Sequence, residues 1–323
     1  MQMTITKRVV TVSINPAIDQ TLTIPNFAAG AVNRVQCAQL DAGGKGINVA
    51  SFLADFGLPV TATGFLGADN DEIFARFLAC KHIEDRCIRI AGKTRIGVKI
   101  IDTAQHQTTD INFPGETPSL ADIEHLFDVL QELAATHDWF VLSGSIPAGV
   151  SAGIYREMIR ILAGKMIVLD TSGEGFREAL VARPSLIKPN VHELQEYVGK
   201  ELPTPQAVVQ VARDVAARFG IASVVVSMGR AGALFIENDQ ALWAVPPSVE
   251  VKSTVGAGDA MVAGIVAAKA QGLALEECAR LATAFSMSAI TRIGSGLPSL
   301  EAVWKAAQQV TVCAPSATAL LYD

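Results

Sequence analysis

The 323-residue chain is short of charge, of aromatic residues and of long apolar runs. Only 18% of its residues are charged and 6% aromatic, against 50% hydrophobic. Basic tails and blocks of like charge are missing, and 26 basic side chains stand against 32 acidic ones, a net charge of −6. A protein that coats nucleic acid needs a basic surface, so this balance argues against that class. No stretch reaches the roughly 18–20 consecutive apolar residues of a membrane span. The opening MQMTITKRVVTVSINPAID has neither an apolar signal core nor a small-residue cleavage site. Cysteines are few, at 37, 80, 87, 278 and 313, odd in number and without C-x-x-C. That is the usage of reduced thiols, not of a disulfide framework. The five histidines lack metal-like spacing, which argues against zinc, and the absence of G-x-S-x-G argues against an esterase elbow. The expected place is the cytoplasm, with no membrane or nucleic-acid partner.

Small apolar residues and glycine, 26 of them, supply what is there. Short β-branched runs (Val9–Ile14, VTATGFLG, WFVLSG, MIVLD, LIKPN, ASVVVSMG) punctuate the chain. Helical patterns lie between or after them, at 47–56, 70–80, 119–135, 151–163, 190–198, 205–219, 258–271, 275–290 and 299–310. GALFIEN and ALWAVPP read as a hairpin, and residues 311–323 carry no clear pattern. Alternating strands and helices predict an α/β fold with a mainly parallel sheet and helices on both faces. Ligands of such folds bind beyond the carboxyl ends of the strands. Two half-polar stretches, 18–40 and 94–113, alternate without joining that rhythm. They predict a small second sheet acting as a lid on one domain, 1–323.

Several motifs can carry chemistry. Ser253-Thr-Val-Gly-Ala-Gly-Asp259 is a glycine loop running into a helix. Such a loop turns backbone N–H groups toward one point, and the helix N-terminus adds positive potential, so Gly256, Ala257 and Gly258 form a candidate anion site. Asp259 is placed to take a proton from a hydroxyl held there, and reads equally as a helix cap. At a helix N-terminus it is expected to stay ionised and weakly basic. The loop is neither G-x-G-x-x-G, since Met261 stands where the third glycine belongs, nor a P-loop; AGGKG also fails the latter pattern. Asp41-Ala-Gly43-Gly44-Lys45-Gly-Ile-Asn48 is a second glycine turn into a helix, with a cation and an amide that both donates and accepts. Asp19 offers a carboxylate to a polyol. Lys188-Pro-Asn190-Val-His-Glu193 follows a strand, and its Asn and Glu share one helix face. They suit Mg²⁺, or a capping box, or both. Ser227-Met-Gly229-Arg-Ala-Gly232 closes a strand beside a possible nucleotide. Arg95 sits in the lid, and Ser145 at a strand end.

The order GGKGINVA, SGSIP, KPNVHE, SMGRAG, STVGAGD resembles the PfkB family of carbohydrate kinases, from Val9 to about Val310. NPAID, TRIGVKI and TDINFPG are most similar to its branch acting on fructose 1-phosphate. The resemblance implies a ribokinase-like three-layer sandwich with a β-sheet lid, ATP and Mg²⁺ as cofactors, and conversion of fructose 1-phosphate to fructose 1,6-bisphosphate. By resemblance Asp259 is the base and Gly256–Gly258 the anion hole. Asp19, Gly43, Gly44, Asn48 and Ser145 meet the sugar. Lys45 and Arg95 meet its existing phosphate. Lys188, Asn190, Ser227, Gly229, Gly232 and Gly258 meet the nucleotide, and Glu193 the metal. Gly97 stands where many members of that branch have Asn, which leaves tagatose 6-phosphate or fructose 6-phosphate as alternative substrates. A non-catalytic sugar or nucleotide sensor is the rival of another class. Half-exposed lid strands predict a homodimer through the lid.

Overall fold

The computed structural model describes residues 7–292 and 294–315. The chain opens with β1 (Val9–Ser13), buried throughout. It leaves the core as β2 (Ala17–Thr23) and β3 (Cys37–Gly43), then returns as α1 (Lys45–Asp55) and β4 (Val60–Gly67). After α2 (Glu72–Cys80) and β5 (Glu84–Ile90) comes a second excursion, β6 (Ile96–Asp102) and β7 (Gln107–Asn112). Then follow α3 (Leu120–Ala134), β8 (Trp139–Ser143), α4 (Ile154–Ile161), β9 (Met166–Asp170), α5 (Gly173–Leu180) and β10 (Leu186–Ile187). Next come α6 (Val191–Val198), α7 (Pro205–Phe219), β11 (Ser223–Ser227) and a hairpin of β12 (Ala233–Glu237) and β13 (Gln240–Val245). The chain continues through α8 (Ala257–Ala270), α9 (Leu275–Ile290), α10 (Leu300–Gln309) and a short β14 (Thr311–Cys313).

The core sheet runs β14-β13-β12-β11-β10-β9-β8-β1-β4-β5. From β5 to β11 every pairing is parallel; the hairpin and β14 are antiparallel. Strand residues alternate between two apolar layers, as a period of two requires. Val141, Val168 and Val225 face α1, α8 and α9, while Phe140, Leu142, Ile167, Leu169, Val224 and Val226 face α3 to α7. The three-layer α/β expectation therefore holds. The β2, β3, β6 and β7 strands form a separate four-stranded sheet, β3-β2-β6-β7, with the central pair parallel. This is the expected lid sheet, although residues 24–36 within its first stretch are a connection, not strand.

Local chemistry accounts for the differences. Only Leu186–Ile187 of LIKPN forms a continuous strand; Pro189 lacks the N–H a ladder needs, and pairing resumes as a single parallel bridge from Asn190 to Ser227. Helix α5 (GEGFREAL) has glycine at two of its first three positions, which masks its pattern, yet Phe176, Ala179 and Leu180 recur at the i, i+3, i+4 spacing and are buried. Edge strand β5 is half polar, and it, α5 and β14 are additions to the expected elements. Residues 316–323 of the tail lie outside the described residues. All five cysteines are free. No helix among the described residues is long and apolar enough to cross a membrane.

Close packing brings α1 and α8 to one end of the sheet. A Cβ on Gly46 would stand 2.9 Å from the Val12 carbonyl oxygen, and one on Gly264 would stand 2.6 Å from the Ala282 Cα. Glycine at these positions lets α1 lie on β1 and α8 on α9. Helix α8 is buried almost all round, which is why it is built of Ala, Gly and Val and not of an amphipathic pattern.

Candidate active site

The first-strand turn, the β8 end, Asp170, Lys188 and Ser227 all lie at the carboxyl edge of the parallel sheet. The strand order reverses there, between β4 and β8 on either side of β1. Helix α8 starts at this edge. Its N-cap, Gly256, has φ 77°, a left-handed conformation that glycine adopts without strain. The first intrahelical bond joins the Ala260 N–H to the Gly256 carbonyl at 2.8 Å. The N–H groups of Ala257, Gly258 and Asp259 therefore have no helical acceptor and point out of the helix end.

The Asp259 carboxylate lies beside them, buried, and accepts from Asn48 Nδ2 at 2.8 Å. Ser295 Oγ donates to Asn48 Oδ1 at 2.6 Å, which turns the amide so that its NH₂ faces Asp259. Ser51 Oγ in turn donates to the Ser295 carbonyl. Burial raises the Asp259 pKa to about 6; Lys45 and the Asn48 bond oppose the rise, and Asp170 adds to it. The sequence-based expectation of an ordinary weakly basic carboxylate is thus corrected. Asp259 is a stronger base than a solvated aspartate, yet about 90% ionised at pH 7.

Below it lies a charge cluster built on a buried carboxylate. Lys45 Nζ and Lys188 Nζ each stand 3.3 Å from Asp170, one on each carboxylate oxygen. Asp170 and Lys188 are almost wholly buried. Burial works against the Asp170 charge, but the two ammonium groups hold its pKa below the usual carboxylate range. Burial also works against the Lys45 charge, and Asp170, Asp259 and Glu193 outweigh it, so its pKa is raised. Lys45, expected with Arg95 at the phosphate of the sugar, is here ion-paired to Asp170. Lys45 lines a cavity of about 840 Å³ with Lys188, Asn190, Glu193, Gly256, Gly258 and Asp259. Arg95 lines a separate one.

Asn190 and Glu193 form a reciprocal capping box on α6, with N–H to side-chain oxygen distances of 2.8 Å both ways. Among the described residues no cluster of three His, Cys, Asp or Glu side chains could hold a metal. Magnesium bound to nucleotide phosphates needs only one or two protein carboxylates. Glu193 fits that need: Oε2 serves the cap, and the side chain lines the same cavity. Ser227 and Gly229 border this cavity and an adjoining one of about 700 Å³. Gly232 joins them there, where a Cβ would collide with the Ala244 carbonyl. The adjoining cavity is walled by Pro246, Val249, Val251, Met261 and Met287, an apolar slot.

On the lid side, Asp19 Oδ2 accepts from Lys99 Nζ at 2.6 Å. Gly43 lies against Asp19, since a Cβ there would stand 2.5 Å from Oδ2, and Gly44 turns the chain at φ 107°. Asp19, Lys99, Asp41, Ser253 and Ser295 line one small cleft. Gly97 pairs in register with Asp19, and a Cβ there would stand 3.1 Å from Asp19 Oδ1, so any side chain at this position would press on that carboxylate. Arg95 reaches Asn15, and Asn15 reaches Ser145.

The pfkB family of carbohydrate kinases matches residues 6–302. The chain belongs to this family. It is 49% identical over 310 residues, 95% of this chain and 98% of the relative, to a 1-phosphofructokinase of Rhodobacter capsulatus. It is 42% identical over 311 residues, 96% and 98%, to one of Vibrio cholerae. Phosphofructokinase-2 of Escherichia coli, solved with fructose 6-phosphate, superposes with a TM-score of 0.84 at 28% identity, covering 94% of this chain and 98% of that one. The same protein has a tetrameric inhibited form, at TM-score 0.86 and the same coverage.

The chain is thus a sugar-phosphate kinase, and the sensor alternative is set aside. Sequence reasoning about this kinase found both glycine turns and their polar residues. It missed Asp170, Lys99, Ser295 and Asn15. Asp170 reads in sequence as the ordinary end of a strand. The available signals were a lysine in TRIGVKI and the asparagine of NPAID.

Proposed function

We propose that this kinase transfers the γ-phosphoryl group of ATP to the C6 hydroxyl of fructose 1-phosphate, giving fructose 1,6-bisphosphate and ADP. The observation that carries the reading is a buried Asp259 carboxylate, fixed by Asn48, beside unpaired N–H groups at the start of α8. Phosphoryl transfer asks mainly for positioning and charge stabilisation. Asp259 accepts the proton of the attacking hydroxyl. The N–H groups of Ala257 and Gly258, aimed by Gly256, take up charge on the transferring group; deleting comparable donors elsewhere costs about 2.7–4 kcal/mol. Lys45 and Lys188, held over Asp170, face the same group. Asp19, Gly43, Gly44 and Asn48 hold the sugar. Arg95 and Ser145 face its 1-phosphate. Ser227, Gly229, Gly232 and Asn190 border the nucleotide, with its base in the apolar slot. Glu193 is the carboxylate that would hold Mg²⁺, which would supply neutralisation of phosphate charge when bound.

The relatives named as 1-phosphofructokinases support the sugar assignment. Glycine at position 97, packed against Asp19, is the feature that could redirect it. A coupled ADP-release assay with MgATP tests the choice against fructose 1-phosphate, fructose 6-phosphate, tagatose 6-phosphate and free fructose. The expected result is a kcat/KM preference for fructose 1-phosphate. Preference for another sugar, or silence on all four, would overturn the assignment.

The kinase works as one domain with its lid, in the cytoplasm, where its free cysteines stay reduced. It pairs as a homodimer through the lids. Val32, Val35, Leu40, Ile96, Ile111 and Phe113 all lie exposed in the lid segments, an apolar surface that a second lid would cover.

A further inference from the structure

The backbone crosses between core and lid four times, at residues 14–16, at Gly44, at 91–95 and at 113–119. These crossings meet at Asn15-Pro16. A Cβ on Gly44 would stand 2.8 Å from the Pro16 Cα. A Cβ on Gly115 would collide with Asn15 Oδ1, so glycine there makes room for the amide. From the third crossing, Arg95 Nε donates to Asn15 Oδ1 at 3.0 Å and Arg95 Nη2 to the Asn15 carbonyl at 3.2 Å. The other half of the same amide, Nδ2, donates to Ser145 Oγ at 3.0 Å, just past the end of β8. Thr94, next to Arg95, is itself clamped to the core: its N–H donates to Asn70 Oδ1 at 2.7 Å, and Asn70 Nδ2 donates to its carbonyl at 2.9 Å.

Arg95 is half-buried and has no carboxylate within ion-pairing distance among the described residues, so Asn15 is what fixes its fork. Two of its nitrogens are spent on Asn15, and Nη1 remains for an anion. A guanidinium whose plane is set in advance loses less freedom when it binds a phosphate.

We infer that Asn15 is a positioning residue: its one amide sets Arg95 against Ser145 and thereby aims the guanidinium at the phosphate the sugar already carries. The inference rests on the reading of Arg95 as the partner of that phosphate. A mispositioned Arg95 weakens phosphosugar binding and leaves the nucleotide side, across the site, alone.

The test is steady-state kinetics of Asn15→Ala, Arg95→Ala and the double variant, with Gly115→Ala as an independent way to displace the amide. Asn15→Ala should raise KM for fructose 1-phosphate roughly ten- to hundredfold, the range of a lost hydrogen bond to a charged group, with KM for ATP and kcat little changed. In the Arg95→Ala background the same substitution should add almost nothing. Gly115→Ala should reproduce the single-variant pattern, and decides the matter if Asn15→Ala does not fold. An equal Asn15→Ala effect with and without Arg95, or an equal rise for ATP, overturns the inference. An effective Arg95→Ala with silent Asn15→Ala and Gly115→Ala overturns the positioning alone. A silent Arg95→Ala overturns the phosphate role of Arg95 and the inference with it.

Discussion

Removing the Asn48 amide should move the acid limb of the pH profile upward. Asn48 Nδ2 donates to a carboxylate whose pKa burial has already raised to about 6. A hydrogen bond to a charged group is worth about 1.5–3 kcal/mol, and one pKa unit is about 1.4 kcal/mol, so losing it raises the pKa by about one to two units. Asn48→Ala leaves room for a water that restores part of the bond and should give about one unit. Asn48→Leu excludes the water and should give about two. The ionised fraction of Asp259 at pH 7 then falls from about 90% to about 50%, or about 10% in the Leu variant. The assay is kcat/KM for the sugar at saturating MgATP, from about pH 5 to pH 9, since that ratio reports groups of the enzyme form that captures the sugar. Asn48 is also proposed to hold the sugar, so the amplitude should fall as well; the position of the limb is the diagnostic. Ser295→Ala, which frees the amide to rotate, should shift the limb the same way and less. A limb that stays near pH 6 while only the amplitude drops would refute the coupling of Asn48 to the base.

Other outcomes follow from the same geometry. Asp259→Asn should lower kcat by about 10²–10⁴ and remove the acid limb while leaving the melting temperature within a few degrees; near-normal turnover would sink the role of Asp259. Lys45→Met should lower kcat with little change in KM for the phosphosugar, because Lys45 sits on Asp170 and not beside Arg95; a selective rise in that KM would return it to the substrate phosphate. Asp170→Asn leaves Lys188 buried without its counter-charge and should destabilise the fold by about 3 kcal/mol in denaturant titration. Because folding depresses the Asp170 pKa, its contribution is present above the ordinary carboxylate value near 3.8 and fades as pH falls toward the folded value. The variant should therefore lose less stability than wild type below about pH 4, and a parallel decline would contradict the ion pair. Ile111→Glu with Phe113→Glu should convert a lid dimer to monomer in light scattering; a wild-type monomer with both substrates present would refute lid pairing.

The parallel core was legible from sequence because β-branched runs such as VTATGFLG and SVVVS are buried on both faces and stand clear of the helices between them. The glycine turns were legible for a related reason. A left-handed N-cap at Gly256 and a tight passage at Gly44 demand glycine, and a polar residue placed in such a turn has few structural roles. Helix α5 and edge strand β5 escaped notice because glycine and polar residues break their periodicity, and tertiary packing supplies the stability that local pattern lacks.

Sequence order by itself thus determined the α/β class, the separate small sheet and the two glycine turns, since each is written in a contiguous stretch governed by local sterics. Tertiary structure alone decided the pairings. Asn48 meets Asp259 across 211 positions, and Asn15 meets Ser145 across 130. Only folding could show that Lys45 turns to Asp170, or that burial makes Asp259 a better base. A pKa and an ion pair depend on which charges share a low-dielectric space, and that is fixed by the packing of distant segments.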